Sequence, residues 1–231
     1  MSNWREYWSR PVGLLVNARH RAVHYARVAD DLIAELPSSP GTVLDYGCGE
    51  ALEAWRVVDR SRHLYLCDAS PQMRADLAVR LGGREDVTVL APEDIDTLTD
   101  GTLDLVVANS VVQYLSVDEC RALFGLLHRK LARSGRLIVA DVIPPDAGFL
   151  ADIAALLGTA LRHRFLFAAL FGLAATLNSD YPKLRRAVGL STWSEAAFVD
   201  LLVASGYAVA RRPRNFGFNR RRMTFIASLR P

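Results

Sequence analysis

Lysine is almost absent from this chain: of 28 basic residues in 231, only Lys130 and Lys183 are lysine and the rest are arginine. Genomic base composition accounts for that bias as well as a ligand would. The net charge of +3 is modest, so local clustering matters more than the total. Cysteine is scarce too, and Cys48, Cys67 and Cys120 lack paired metal-ligand spacing; reduced structural thiols in a cytoplasmic protein are expected. The polar start Met1-Ser2-Asn3-Trp4-Arg5-Glu6 reaches no signal-peptide apolar core before Pro11, so no secretion signal is expected. There is no internal repeat and no low-complexity tract, which excludes solenoids and compositional disorder. The apolar stretch Phe165–Leu177, at 13 residues, is too short to span a bilayer.

Ordinary globular composition remains, with 51% hydrophobic and 23% charged residues. This length suits one α/β domain with insertions. Ala18, Ala22, Tyr25, Val28, Ala29, Leu32, Ile33 and Leu36 recur at helical spacing before Pro37-Ser38-Ser39-Pro40-Gly41 breaks the pattern, which predicts an N-terminal helical cap over 1–40. Short apolar runs then alternate with helical stretches. Thr42–Tyr46, His63–Cys67, Val87–Leu90, Leu103–Ala108 and Arg136–Asp141 read as strands of a parallel sheet with right-handed crossovers. Ser70-Pro71 opens a crossover helix that Gly82-Gly83 closes, and Thr192-Trp193-Ser194-Glu195 reads as a capping box for a later helix. Tyr207–Arg212 and Met223–Leu229 complete the sheet as an antiparallel hairpin. The expected fold is a Rossmann-like, seven-stranded, mostly parallel sheet, with its core in 41–145 and 191–231 and a helical insertion, or lid, over 146–190.

Gly47-Cys48-Gly49-Glu50 follows a strand and begins a helix, where glycines let backbone approach a ligand. Alone, such a pair fits any tight strand-to-helix turn. Asp68 ends the second strand 19 residues beyond Gly49, over the crevice where a carboxylate accepts hydrogen bonds from both ribose hydroxyls; by itself it also fits a helix-start acid before Ser70-Pro71. Asp45 separates cofactor classes, because a carboxylate just before the glycines suits a ligand with an ammonium and a sulfonium rather than a pyrophosphate. Glu50 strengthens that reading, and Leu52 stands where a dinucleotide loop carries its third glycine.

Val43–Glu50 resembles the first motif of class I S-adenosylmethionine-dependent methyltransferases, of the small-molecule type, and Asp68 resembles their ribose-binding acid. Ala91-Pro92-Glu93-Asp94-Ile95 resembles the segment that cups adenine, with Asp94 toward the exocyclic amine and Ile95 toward the ring or its backbone. Asn109-Ser110-Val111-Val112-Gln113-Tyr114-Leu115 resembles the fourth motif, and Leu131–Val139 the turn into strand five. The resemblance implies S-adenosyl-L-methionine as cofactor, S-adenosyl-L-homocysteine as product, and contacts from Asp45, Gly47, Gly49, Asp68, Ala69, Met73, Glu93, Asp94, Ile95, Asn109, Ser110 and Tyr114. Tyr7 and Trp8 are candidates to close over the sulfonium. Two departures stand out: Ala51 replaces a third glycine, a sterically mild change, and Asn109 replaces an acid, which removes a carboxylate from the reaction centre.

Methyl transfer needs positioning and water exclusion first, and a base only if the acceptor loses a proton. His20, His24, His128 and His163 are candidate bases; each also fits a surface or packing role. His20 and His24 share a helical face that would suit a metal, yet no third ligand is evident and no metal is expected. Phe165–Leu177 is apolar on all sides and must be covered by a substrate beneath a lid, by a second copy of the chain, by a membrane surface, or by the domain's own core. Arg211, Arg212, Arg214, Arg220, Arg221 and Arg222 crowd the C-terminus as a solvated rim or as an anion- or membrane-facing patch. The expected function is methyl transfer to a small apolar or amphipathic acceptor: a lipid, isoprenoid, quinone-like compound or natural-product intermediate. A cytoplasmic location, peripheral to the inner membrane surface if that dock is used, goes with it. RNA methylation is an alternative motivated by the arginines, although no appended RNA-binding module and no D/N-P-P-Y/F tetrad follows strand four; a non-catalytic scaffold is the other.

Overall fold

A computed structural model describes residues 18–147, 157–158, 160–162 and 190–230. Helix α1 (Ala18–Ile33) precedes β1 (Thr42–Tyr46), α2 (Ala54–Val58), β2 (His63–Cys67), α3 (Pro71–Leu81) and β3 (Val87–Leu90). Then come β4 (Leu103–Asn109), α4 (Val117–Lys130), β5 (Leu131–Val142), α5 (Glu195–Ala204), β6 (Tyr207–Arg211) and β7 (Met223–Leu229). The seven strands lie in the order β3-β2-β1-β4-β5-β7-β6. The first five run parallel, and β7 is antiparallel to both β5 and β6. The strand order reverses beside β1, so the crevice at the carboxyl ends of β1 and β4 is the binding position of such sheets.

Successive strand residues face opposite sides, and both faces are covered. Leu44, Val106, Val139 and Phe225 pack under α4 and α5, whereas Val43, Leu66, Val107 and Ile138 pack under α1, α2 and α3. Phe124, Phe198, Tyr207 and Phe225 are wholly buried, and the Phe198 ring meets those of Phe124, Trp193 and Phe225 at 6.0, 5.4 and 5.0 Å. Burying a side chain of this size stabilises by about 1.5–3 kcal/mol.

Local chemistry sets the helix starts. Ser70 Oγ accepts from Met73 N at the head of α3, with Pro71 in the first turn. Ser116 and Glu119 form a reciprocal capping box on α4. For α5 the cap is Ser194, whose Oγ accepts from Ala197 N, and not Thr192: Trp193 N pairs with Ile143 O, which keeps the chain extended until Ser194. Strand β5 also starts earlier than its apolar run, because the pairing Leu103↔Leu131 precedes an irregularity before Leu105↔Arg136.

Candidate active site

The turn after β1 is built by two glycines at φ +76 and +57. A Cβ at Gly47 would lie 2.4 Å from Val111 Cγ2, so the loop after β4 closes directly on the loop after β1. Gly47 N and Cys48 N both donate to Cys67 O, at 2.7 and 3.0 Å, which fastens that loop to the end of β2. Asp68 completes the cradle: its Oδ2 accepts from Gly49 N at 2.9 Å and its Oδ1 from Ser70 N at 2.8 Å. A carboxylate offers about four acceptor directions, so both oxygens retain capacity for ligand hydroxyls. Arg74 donates to the carbonyls of Asp68 and Ala69 and fixes the rim on which Ala69 and Met73 sit.

Asp45 points to the α1 and α2 side, where it lines a recess with Tyr25, Cys48 and Ala51. Burial first, and the neighbouring Asp68 charge second, push its carboxyl up to about 7. Among the described residues it has no hydrogen-bond donor and no cation, and Asp68 has no ion pair. Two adjacent carboxylates without a positive partner fit a cationic ligand.

Glu50 behaves differently from the sequence expectation. It is ion-paired to Arg21 and its amide donates to Tyr25 Oη at 3.1 Å, so α1 holds it and it is not free for a ligand. Ala51 also departs from expectation: its φ is +39, the left-handed region that costs a non-glycine residue about 1–2 kcal/mol, so replacing the third glycine is not sterically mild. On α1, burial and then the proximity of His24 lower His20 to about 4, while burial lowers His24 against an upward pull from Glu50. Both are neutral imidazoles at pH 7. Among the described residues no group of three or more His, Cys, Asp or Glu side chains could hold a metal.

Pro92–Thr97 forms a 3-10 helix after β3. Asp94 and Glu93 are exposed there, although Asp94 Oδ2 already accepts from Ala91 N at 2.8 Å. Ile95 is wholly buried in the core beneath α4, which leaves only its backbone for a ring. Asn109 ends β4 half-buried, and Tyr114 closes a short 3-10 turn beyond it. His128 stands apart from the crevice: its ring packs on Tyr207 at 5.2 Å, and its Nε2 would lie 2.8 Å from a Cβ at Gly206. Tyr7, Trp8 and His163 lie outside the described residues, as does most of 146–190. Among the described residues no helix is long and apolar enough to cross a membrane.

One cluster is missing from the sequence reading. Ser110, at φ +59, donates its hydroxyl to Asp141 Oδ2 at 2.7 Å, and Asp141 itself has φ +63. Arg222 Nη1 donates to the same oxygen at 2.8 Å and to Gln113 Oε1 at 3.1 Å. Asn215 accepts from Asp141 N at 3.1 Å and donates to Asp141 Oδ1 at 3.3 Å. Burial pushes the Asp141 carboxyl up, opposed by Arg222, Ser110 and Asn215. An acid at the carboxyl end of an apolar strand was the available signal, the same one that singled out Asp68. Of the other C-terminal arginines, Arg211 pairs with Glu195, and Arg212 with Asp31 and Glu35; Arg214, Arg220 and Arg221 are exposed. Half of that cluster is therefore ion-paired within the chain, Arg211 at the surface and Arg212 and Arg222 largely buried.

Residues 44–137 match the family model of a methyltransferase domain. No curated protein matches the chain in sequence. Among solved structures, the YcgJ protein of Bacillus subtilis is similar at a TM-score of 0.56 and 16% identity, over 81% of this chain and 70% of that one. A chain from the complex of the Haloferax volcanii Trm112 methyltransferase activator with its methyltransferase gives 0.62 and 15%, over 100% of both. A TehB-like S-adenosylmethionine-dependent methyltransferase from Corynebacterium glutamicum gives 0.58 and 14%, over 98% of both. These structural likenesses are likenesses of fold. The methyltransferase-domain match spans residues 44–137, and beyond it the likeness is to a fold that these neighbours share.

Proposed function

We propose that the protein transfers the methyl group of S-adenosylmethionine to a small apolar or amphipathic acceptor. The observation that carries the cofactor half is the Asp45–Asp68 carboxylate couple, which has no cationic partner among the described residues, beside the Gly47–Gly49 turn. When bound, S-adenosylmethionine supplies a methyl group on a sulfonium, activated for in-line displacement. Asp68 accepts from the ribose hydroxyls with the capacity left by Gly49 N and Ser70 N. Asp45 offers its charge to the ammonium side of the ligand, and the exposed Asp94 and the Ile95 backbone face the adenine. Asn109 to Tyr114 border the acceptor side, because the chain turns there at the end of β4, against Gly47. Holding two reactants at attack distance removes roughly 7–11 kcal/mol of barrier without covalent help. The apolar composition of Phe165–Leu177 after β5 supports the acceptor class.

Calorimetry with S-adenosylmethionine tests the site. Hydrogen bonds to a charged carboxylate contribute about 1.5–3 kcal/mol each, so losing two through Asp68→Ala weakens binding by roughly 10²–10⁴-fold. A wild-type chain that does not bind, or a variant that binds equally well, refutes the assignment. Tritium transfer from labelled S-adenosylmethionine into lipid and metabolite extracts tests the acceptor; label in protein or RNA instead refutes that half.

A further inference from the structure

We propose that Ser110 and Asp141 form a proton relay, and that the methyl acceptor is a hydroxyl group whose proton leaves through Ser110 Oγ to Asp141 Oδ2, 2.7 Å away. The inference rests on the methyl-transfer reading above.

Placement is the first support. Strands β4 and β5 are parallel neighbours in the register Asn109↔Ala140, and Ser110 N donates to Ala140 O at 3.1 Å. Ser110 and Asp141 thus emerge side by side at the carboxyl edge, next to Val111, whose side chain closes on Gly47. Both remain partly exposed, Asp141 by 17%, so a small molecule in the crevice can reach the serine hydroxyl.

Backbone conformation is the second. Both residues are non-glycines in the left-handed region, and strain of this kind persists where surrounding structure over-determines it, as at sites of function. Here the surroundings are specific. Arg222 comes from the start of β7 and Asn215 from the β6–β7 turn, and together they hold the carboxylate while Ser110 reaches it from the β4 side. Arg222 is the one charged group bonded to Asp141 among the described residues. Burial raises the carboxyl against that pairing, in the direction that improves a base at neutral pH.

The step balances. The acceptor oxygen forms a bond to the methyl carbon as the carbon–sulfur bond breaks, its electron pair remaining on sulfur. The acceptor proton passes to Ser110 Oγ, the Ser110 proton passes to Asp141 Oδ2, and the neutral pair then releases one proton to solvent.

Asp141→Asn and Ser110→Gly test the relay while keeping the backbone, since asparagine tolerates and glycine favours the left-handed region. S-adenosylmethionine affinity, by calorimetry, is expected to stay within about twofold of wild type in Asp141→Asn, because Asp141 is assigned no contact with that ligand. Tritium transfer into metabolite and lipid extracts is expected to fall by roughly 10²–10⁴-fold, the range for a general base, and the rising limb of the wild-type pH–rate profile to disappear in Asp141→Asn. A readout free of turnover is carbon-13 titration of the Asp141 carboxyl in the cofactor-free protein: Ser110→Gly removes a donor to the charged form, so the midpoint moves up. Either variant transferring at the wild-type rate with the same pH limb overturns the relay and leaves the cofactor reading standing. So does cofactor affinity falling in step with transfer in Asp141→Asn, which marks a purely structural role, or label found on nitrogen, sulfur or carbon. A wild-type chain that fails to bind S-adenosylmethionine removes the reading itself, and the relay with it.

Discussion

Replacing Asp45 with asparagine keeps the side chain's shape and removes its charge, and the structure predicts that the empty protein becomes more stable. Burial, then Asp68, raises the Asp45 carboxyl from 3.8 to about 7. With each pH unit worth about 1.4 kcal/mol, keeping this group ionised in the empty fold costs at most on the order of 4 kcal/mol. The folded state binds the proton more tightly than the unfolded chain does. The contribution of Asp45 to stability is therefore fully present below 3.8, is lost progressively as pH rises to about 7, and is constant above that. The asparagine variant has no such loss, so its advantage over wild type grows between pH 5 and 7 by roughly 2.3 kcal/mol. At about 2–4 °C per kcal/mol for a chain of this size, the gap in melting temperature widens by roughly 5–10 °C. Thermal melts of both proteins at pH 5, 6, 7 and 8 without cofactor measure it. Calorimetry supplies the functional half: a cationic ligand needs the ionised carboxylate, so wild-type affinity for S-adenosylmethionine falls about tenfold per unit below pH 7 while the variant, weaker throughout, stays flat. A melting gap independent of pH, or one that closes as pH rises, would refute the reasoning, because it would mean that Asp45 already has a partner.

Ala51→Gly is expected to change stability by less than about 0.5 kcal/mol, since relief of roughly 1–2 kcal/mol of left-handed strain offsets the lost methyl and the added chain entropy. The equally buried Ala29→Gly, inside α1, has no strain to relieve and costs about 2 kcal/mol; equal costs in denaturant melts would show that position 51 carries no strain. Phe198→Ala removes a ring that meets three others and is expected to cost about 3–5 kcal/mol, with a loss under about 1 kcal/mol counting against the packing described.

The strands were legible because their apolar runs are short, β-rich and separated by clear helix starts and stops, and Ser70-Pro71 states its cap chemistry outright. Thr192 misled because the spacing Thr-x-x-Glu satisfies the capping pattern while a backbone bond from Trp193 to Ile143, 50 positions earlier, decides where the helix begins. Glu50 misled for the same reason: a carboxylate after the glycines reads as ligand-facing until Arg21, 29 residues earlier, is seen to hold it. Asp141 went unread because what gives it chemical meaning arrives from three separate segments, at Ser110, Asn215 and Arg222. Arg222 in particular belonged to a run of arginines whose members look alike in sequence and do unlike things in the fold. Local propensity is written in neighbouring residues; a side chain's partner across the sheet is not.

Among the described residues, the non-glycine positions with positive φ are Ala51, Ser110 and Asp141, and their distribution says something about the site as a whole. Each lies at or just beyond the carboxyl end of a strand, β1, β4 or β5, and none lies at the opposite edge. At about 1–2 kcal/mol apiece, they hold on the order of 3–6 kcal/mol, a sizeable share of the 5–15 kcal/mol by which folded domains exceed their unfolded states. The unpaired Asp45 adds to the same edge a charge penalty that a bound cation removes. A sequence free to relax could avoid the left-handed backbone at these positions and carry asparagine at 45. Retaining the cost at one edge alone is the pattern of a fold whose stability is drawn down where it binds and reacts. Bound cofactor should accordingly stabilise this protein by more than its contact area suggests, because binding also relieves the repulsion between Asp45 and Asp68.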